Sequence, residues 1–160
     1  MCALFGFLDY GKSIPWKVLQ KLVQALANAS EVRGNHASGI AYNRPERLSI
    51  FKRPLPAHKM HFRISEGTRV VMGHTRLTTQ GSQKHNYNNH PFRGNTGTDF
   101  ALAHNGVLYN DELLRTKLNL PETVIETDSY IAVQLIESQQ ELTKRPSLRA
   151  WRTSPMIWNR

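Results

Sequence analysis

The sequence predicts an α+β protein built on antiparallel β-sheet. Its 160 residues are about what one domain needs, by the prior of roughly 150 residues per domain. Apolar residues make up 39% and charged residues 21%, which is the composition of a globular chain. The predicted strands come in runs with helices between and after them, a pattern that favours α+β over a doubly wound parallel fold.

The first elements are a buried strand and an amphipathic helix. The apolar run ALFGFL predicts a strand over residues 3–8. Ser13 is the expected N-cap of the helix, with Pro15 near its first position and its end at about Ala29. Apolar residues recur at i, i+3, i+4 and i+7 on one face of this helix: Leu19, Leu22, Val23 and Leu26.

Three more strands and a proline-containing loop are predicted in the middle of the chain. Residues 38–42 and 48–52 read as strands joined by a turn at 43–45, and residues 69–74 as a buried strand. Between them, residues 53–68 read as a loop with one short helix.

The rest of the chain is predicted to contain a polar loop, a short strand and two helices. Residues 78–99 are rich in Thr, Asn, Gly and Gln and are predicted to be one long polar loop, of a length that is usually functional. A strand over 100–104 and a helix over 111–118 follow. A last helix is predicted from Asp128 to about Gln139, with Thr127 as its cap.

Composition excludes several classes of protein. No apolar run approaches the roughly 18 residues that cross a bilayer, and no signal-peptide core is present, so a cytoplasmic protein is expected. The single cysteine excludes an internal disulfide framework. No metal is expected, because the histidine pairs His58/His61 and His85/His90 have no acidic or thiol companion at ligand spacing.

The formal charge of +9 raises nucleic acid as a partner, but its distribution argues against it. The last 20 residues carry five basic side chains against Glu141 alone. Elsewhere no interleaving of aromatic and basic residues would make a platform for stacked bases. Nucleic-acid binding is therefore not expected, and a basic RNA-binding tail is the alternative that remains.

Cys2 is the first residue that can do covalent chemistry. A lone cysteine is usually a small buried apolar residue, but an initiator methionine is commonly removed when a small residue follows it. Cys2 would then carry both a thiol and a free α-amino group, whose ordinary pKa is about 8. Nucleophile and general base would thus come from one residue.

Three further sites supply groups that complement such a nucleophile. Asn105 and Gly106 follow a predicted strand and offer an amide and a backbone N–H to an oxyanion, although Asn-Gly is also a common turn dipeptide. Arg76 follows another strand and can clamp a carboxylate, and Asp128 can accept from an ammonium group. Alternatively, these are a surface arginine and a helix-terminus carboxylate. Together they describe a site for an amino acid with a reactive side-chain carbonyl.

At this point the sequence resembles the glutaminase domain of class II glutamine amidotransferases, which are N-terminal nucleophile (Ntn) hydrolases. The resemblance covers residues 2–137 in family order, and its specificity comes from the set of blocks anchored by Cys2. The blocks are MCALFG (1–6), RGNHASGIAY (33–42), GHTRLTTQGS (73–82), HNGVLYN (104–110) and ETDSYIAVQLIE (126–137).

The resemblance implies a mechanism. Cys2 would be the nucleophile and its α-amine the base, and Asn105 and Gly106 would form the oxyanion hole. Glutamine would acylate Cys2 as a γ-glutamyl thioester and release ammonia, and water would then free glutamate.

The resemblance also implies substrate contacts and a fold. Arg76, helped by Thr79, would bind the α-carboxylate of L-glutamine, and Asp128 its α-ammonium. Arg33 would support the surroundings of the nucleophile, and Gly34 would permit a tight turn beside it. The implied fold is a four-layer αββα sandwich, with no cofactor.

The chain departs from the family in four places. Ala3 stands where the family has glycine, and Asn35-His36 stands where Pro-Asp is usual. Gln80 stands where amino-sugar synthases often have histidine, which argues against that subfamily. Residues 141–160 match nothing in the family, which continues with more strands. We therefore expect a glutaminase domain at 2–140 that lacks C-terminal strands, followed by a basic tail at 141–160.

The expected partners are L-glutamine and an ammonia-accepting synthase on another chain, and open sheet edges favour association into an oligomer. Two alternatives stay open. One is an impaired glutaminase fold kept as a binding or regulatory module. The other is an acylase with an N-terminal cysteine, which would not need both Arg76 and Asp128.

Overall fold

The computed structural model describes residues 2–45 and 47–139. The predicted tail at 141–160 lies outside the described residues. Within them the chain forms, in order, β1 (Ala3–Leu8), α1 (Trp16–Ser30), β2 (Ala37–Arg44), β3 (Arg47–Arg53), β4 (Val70–Arg76), β5 (Phe92–Asn95), β6 (Asp99–Leu102), α2 (Asp111–Lys117) and α3 (Tyr130–Gln139). No helix in this described part is long and apolar enough to cross a membrane.

The main sheet has four antiparallel strands in the order β1-β4-β2-β3. β4 therefore lies between β1 and β2, and its last residue is hydrogen-bonded into the sheet, because Arg76 pairs with Ala37. β5 and β6 form a separate antiparallel hairpin. The predicted class, mixed helices and antiparallel sheet, is confirmed.

One face of the main sheet forms the apolar core against α1. Side chains alternate across a strand, so Phe5, Phe7 and Val71 share this face with Ile40 and Tyr42. They pack against the buried face of α1, which consists of Leu19, Val23 and Ala27. The helical periodicity of the sequence thus identified the core-facing side of α1.

The loop between β3 and β4 is fastened to α1 by glutamine side chains. Gln20 Oε1 accepts from Ile64 N at 2.9 Å, and Gln24 Oε1 accepts from Phe62 N at 3.2 Å. The indole of Trp16 donates to Ile64 O at 3.1 Å. These bonds satisfy loop backbone groups that no sheet partner serves, so Phe62 and Ile64 can be buried.

The opposite face of the sheet is polar at one end and apolar at the other. His74 and Arg76 of β4 are buried there beside the segment that leads into β5. Toward the other end of the same face, Leu8 and Val70 pair with each other and are 52% and 42% exposed.

Two predicted helix caps are wrong. α1 begins at Trp16 after Pro15, and Ser13 instead donates its N–H to Asp9 Oδ1 at 3.1 Å. The Asp9 carboxylate also accepts from Ile14 N, so a residue before the helix organises its entry. At α3, which begins at Tyr130, the Thr127 hydroxyl donates to Asn88 O at 2.8 Å instead of capping the helix.

The predicted loop over 78–99 is also wrong in part. It contains a short 3₁₀ turn at Asn86–Asn88 and the strand β5. Asn88 and Asn89 are fully buried in it and bonded to distant residues, which a polar composition does not reveal.

The core leads to a first prediction. Leu19→Ala should lower the free energy of unfolding by about 2–5 kcal/mol, because Leu19 is fully buried and its truncation leaves a cavity. Val18→Ala, at a neighbouring residue that is 51% exposed, should change it by less than about 0.5 kcal/mol. Denaturant unfolding followed by circular dichroism measures both, and equal effects would contradict this packing.

Candidate functional site

The thiol of Cys2 lies at the end of β4. Because Ala3 pairs with Thr75, continuing the antiparallel register by one residue sets Cys2 opposite Arg76. The backbone N–H of Leu77 donates to Cys2 Sγ at 3.3 Å, and Leu77 O lies 3.5 Å from the same sulfur. Cys2 is half-buried, so the sulfur is held by backbone yet reachable.

Arg33 and Gly34 lie on the other side of Cys2. Arg33 Nε donates to Cys2 O at 3.1 Å. Gly34 has extended backbone (φ −173°), so it does not serve a tight turn as the resemblance implied. A Cβ at Gly34 would instead lie 2.5 Å from the backbone carbon of Arg76, so glycine is required by close approach.

His36 is a residue that the sequence analysis did not assign. Its Nδ1 accepts from Thr78 N at 3.0 Å, and its backbone N–H donates to Arg76 O at 3.0 Å. Both bonds fix the backbone on either side of Leu77, which contacts the sulfur. The imidazole therefore has a positioning role that its place in the RGNHASG block could have suggested.

The guanidinium of Arg76 is 3% exposed and connects three segments of the chain. Nη1 donates to Asn89 Oδ1 at 2.7 Å. Nη2 donates to the carbonyl of Gln80, to Gly81 O at 2.9 Å and to Thr127 Oγ1 at 3.3 Å. The side chain of Gln80 turns away and reaches Asp111, so this position contributes a carbonyl that any residue could supply.

Burial lowers the pKa of Arg76, and the nearby groups of Cys2, Asp128 and Glu126 oppose that shift. The same electrostatic neighbourhood therefore contains the thiol and the two carboxylates. Asp128 is buried and accepts from Leu108 N at 2.6 Å. A buried cation and a buried carboxylate close to a thiol can hold a ligand that carries both charges.

The segment with Asn105 and Gly106 is fixed on both sides while these two residues stay exposed. Before them, His104 O accepts from His74 Nε2 at 3.1 Å, and after them Leu108 bonds to Asp128. A Cβ at Gly106 would lie 2.6 Å from His104 Nε2, so the imidazole needs the glycine.

Thr79 and His104 differ in how firmly they are held. Thr79 is exposed, in the turn after Arg76. His104, which the HNG motif contains but the analysis did not assign, has its Nδ1 2.9 Å from Ser129 Oγ. This contact links the segment to the start of α3, next to Asp128.

Two buried imidazoles stack beside this site. The rings of His74 and His90 are 4.2 Å apart, and both residues are almost fully buried. Burial, together with the charges of Arg76 and His104 and against the bond to His104 O, lowers the pKa of His74 to about 4. Burial and then His74 hold the pKa of His90 well below its usual value. Both rings are therefore neutral near pH 7.

An open cleft of about 670 Å³ lies beside the short 3₁₀ turn Glu31–Arg33. Its walls include Leu77, whose backbone contacts the Cys2 sulfur, and Arg33, which bonds to the Cys2 carbonyl. Across residues 2–45 and 47–139, no three His, Cys, Asp or Glu side chains are grouped so as to hold a metal.

Comparison with known proteins identifies the class. The chain is a homologue of class II glutamine amidotransferases, so the resemblance indicated by its motifs is confirmed. No protein-family model matches the chain.

The relatives are glutamine–fructose-6-phosphate aminotransferases (isomerizing). The protein of Bacillus cereus is 34% identical over 144 residues, which is 87% of this chain and 22% of the relative. The protein of Staphylococcus aureus is 34% identical over 143 residues, covering 86% and 22%, and that of Bacillus thuringiensis 33% over 144 residues, covering 87% and 22%. The chain thus spans 22% of the length of these relatives. The presence of Gln80 predicted a chain outside the amino-sugar synthases. The names of these relatives give that prediction no support.

The imidazole pair leads to a prediction about pH. The pKa of His74 is about 4 in the folded protein and about 6.5 when unfolded, so the unfolded chain binds more protons between these values. Stability should be full above pH 6.5 and fall as the pH drops toward 4, with about 3 kcal/mol from His74. Unfolding free energies from denaturant titrations across this range measure the loss.

The matched variants are His74→Gln and His61→Gln. Gln at position 74 keeps an N–H for the carbonyl of His104 but does not titrate, so the slope of stability with pH should decrease. His61 is exposed, and its replacement should leave the slope unchanged. Superimposable slopes for all three proteins would disprove the assignment.

Proposed function

We propose that this chain is a glutaminase of the class II glutamine amidotransferase type, which hydrolyses the side-chain amide of L-glutamine. The observation that carries the proposal is the position of the Cys2 thiol against the Leu77 backbone, in the same electrostatic neighbourhood as Arg76 and Asp128. The homology to glutamine–fructose-6-phosphate aminotransferases supports it. The activity of those much longer proteins supports the proposal and is not ascribed to this chain.

The proposed reaction begins with removal of Met1, which frees the α-amine of Cys2. This amine takes the thiol proton, and the sulfur attacks the δ-carbon of glutamine. The oxyanion that forms is stabilised by donors at Asn105 and Gly106. The carbon–nitrogen bond then breaks, and the amine returns the proton to the leaving group as ammonia. Water attacks the thioester, glutamate leaves and the thiol is restored.

The proposed substrate contacts use hydrogen-bonding capacity that Arg76 retains. A guanidinium has five N–H groups, and among the described residues only Nη1 and Nη2 find acceptors. Nε is available to an α-carboxylate, with Thr79 as an additional donor. We assign the α-ammonium to Asp128 Oδ1, because its bond from Ser129 Oγ is long, at 3.4 Å, whereas Oδ2 accepts from Leu108 N at 2.6 Å.

We propose that residues 2–140 are the glutaminase-type domain and that its fold is the four-layer αββα sandwich of Ntn hydrolases. A synthase on another chain would accept the ammonia. Three statements stay predictions: that the protein is cytoplasmic, that it associates into an oligomer, and that residues 141–160 form a tail separate from the domain.

A second candidate function is a binding module with the same fold. It is favoured by the burial of Arg76 and Asp128, whose charged groups already bond to protein atoms. In that case glutamine or a related zwitterion would not reach Cys2. The two functions differ in whether the thiol reacts.

Reaction with a glutamine analogue is the first test. 6-Diazo-5-oxo-L-norleucine should alkylate Cys2 with loss of nitrogen gas, and excess L-glutamine should protect the thiol. Intact and peptide mass spectrometry reads the adduct and also whether Met1 is removed. Cys2→Ala should give no adduct and no glutamate release. A folded protein that lacks Met1 and stays unlabelled would favour the binding module.

Substrate charge is the second test. Asp128→Asn should raise the KM for glutamine by about 10–100-fold, which corresponds to about 1.5–3 kcal/mol for a hydrogen bond to a charged group. Glutaric acid monoamide, which lacks the ammonium, should be hydrolysed equally by both proteins. Glu112→Gln on the exposed side of α2 is the matched control and should leave KM unchanged. Better turnover of the monoamide than of glutamine would instead indicate an acylase.

A further inference from the structure

β1 is one of the two edge strands of the main sheet. Asp9 follows β1 in the same register, and its N–H donates to Arg69 O at 2.8 Å, so the odd-numbered residues bond to β4. Backbone groups point to alternate sides along an antiparallel strand. The N–H and C=O groups of Leu4, Gly6 and Leu8 therefore point away from β4, and no described residue bonds to them.

The other edge of the sheet, on β3, is protected in ways that natural edge strands use. Its carbonyls at Leu48 and Lys52 accept from side chains, namely from Arg93 Nη2 at 2.9 Å and from Asn86 Nδ2 at 3.0 Å. Its sequence, RLSIFKR, carries three cations. β1, with the sequence ALFGFL, contains no charged residue and no proline. β1 is thus the edge that can accept a further strand.

We propose that a second copy of this chain pairs with the outer edge of β1. The two β1 strands run antiparallel about a two-fold axis, so that the two main sheets become one continuous sheet. The proposal gives the predicted association into an oligomer a specific surface. It goes beyond glutamine hydrolysis and does not depend on it.

The backbone of β1 is complementary to itself in one register. With Gly6 opposite Gly6 of the second copy, Leu4 of each copy lies opposite Leu8 of the other. All the outward-facing residues then meet outward-facing residues, and each such pair can exchange two N–H···O bonds. A shift by one residue would set these groups against residues that already bond to β4, so the bonds would be lost. This self-complementarity favours a second copy as the occupant.

The exposed side chains of the edge fit the same register. Leu4 and Leu8 are 50% and 52% exposed, and both lie on the face of the sheet that is opposite α1. Side chains directly opposite each other on one face are in contact across an antiparallel pair. In the dimer Leu4 therefore packs against Leu8 of the other copy, and Val70, which pairs with Leu8, extends the apolar surface. Gly6 has no side chain to hold the strands apart.

The length of the edge and the charge of the chain set the strength of the dimer. A six-residue strand extends over about 20 Å, which is short for the roughly 1,200–2,000 Å² that stable interfaces bury. We expect a dissociation constant between about 10 µM and 1 mM. Each copy carries a formal charge of +9, so the copies repel each other and added salt should strengthen the dimer by screening. Association through ion pairs would instead weaken with salt.

Sedimentation velocity of the whole chain, over a concentration series at low and high salt, measures the association. We expect a monomer that becomes a dimer as the concentration rises, and at lower concentration in high salt. A monomer at every concentration would overturn the proposal, and so would a dimer that salt dissociates.

Amide hydrogen exchange, resolved by residue with NMR, identifies the edge. The amides of Leu4, Gly6 and Leu8 should exchange fast in the monomer and become protected as the dimer forms. Those of Phe5 and Phe7, which bond to β4, should be slow in both states. A dimer whose outward amides stay unprotected would overturn the proposal. Protection that is independent of concentration would show that a segment of the same chain occupies the edge, and would also overturn it.

Charged variants test the register. Leu4→Lys should weaken the dimer about tenfold or more, because it sets an ammonium against Leu8 of the other copy. Adding Leu8→Glu to the same chain should restore association, since opposite charges then face each other across the two-fold axis. Gly6 is left unaltered, because a Cβ there would lie 2.1 Å from Val71 O.

The matched control is Val124→Lys, at a residue that is 71% exposed and outside the sheet, and it should leave the dimer unchanged. Both leucines are half-exposed, so the variants should fold, and circular dichroism checks that they do. A folded double variant that associates no better than Leu4→Lys alone would overturn the proposal. The exchange measurement on the unaltered protein needs no variant to fold.

Discussion

The buried guanidinium of Arg76 is the interaction on which the rest of this structure depends. Arg76 is the last residue of β4, one of the two inner strands of the sheet. Its guanidinium donates to the carbonyls of residues 80 and 81, to Asn89 and to Thr127. Hydrogen bonds from a charged donor contribute about 1.5–3 kcal/mol each, and their loss would leave buried acceptors unpaired. One side chain therefore fixes the polar loop after β4 and the approach to α3 relative to the sheet.

The position of this charge follows from the alternation of side chains along β4. Val71 faces the apolar core against α1, whereas His74 and Arg76 lie on the other face with Lys52. Like charges accumulate on that face, and burial together with their repulsion keeps the imidazole of His74 neutral. The sheet thus separates a hydrophobic side, which stabilises the fold, from a side that carries the cations of Arg76 and Lys52.

Elements whose structure depends on neighbouring residues in the sequence could be predicted from it. Elements whose structure depends on contacts with residues far along the chain could not. β1 and the core face of α1 follow from apolar pattern alone, and the structure has both. Asp9, not Ser13, organises the entry to α1, because a carboxylate before the turn accepts more backbone N–H groups than a hydroxyl can. The order within 78–99 comes from partners about 38 residues away, such as Glu126 and Thr127, which no local pattern encodes. The candidate site residues came from motif blocks, and His36 and His104 were missed because their contacts are with backbone and with Ser129.

The proposed role of Arg76 in substrate binding and its observed role in the fold are compatible because of the shape of a guanidinium. Its donors point along separate directions in one plane, so Nη1 and Nη2 can hold the loop while Nε stays available to a carboxylate. A lysine has only three donors around one point and could not hold both sets of acceptors. A glycine is needed at position 34 because the backbone of Arg76 is packed against it. Residues that position this arginine therefore act on the proposed chemistry without touching the substrate.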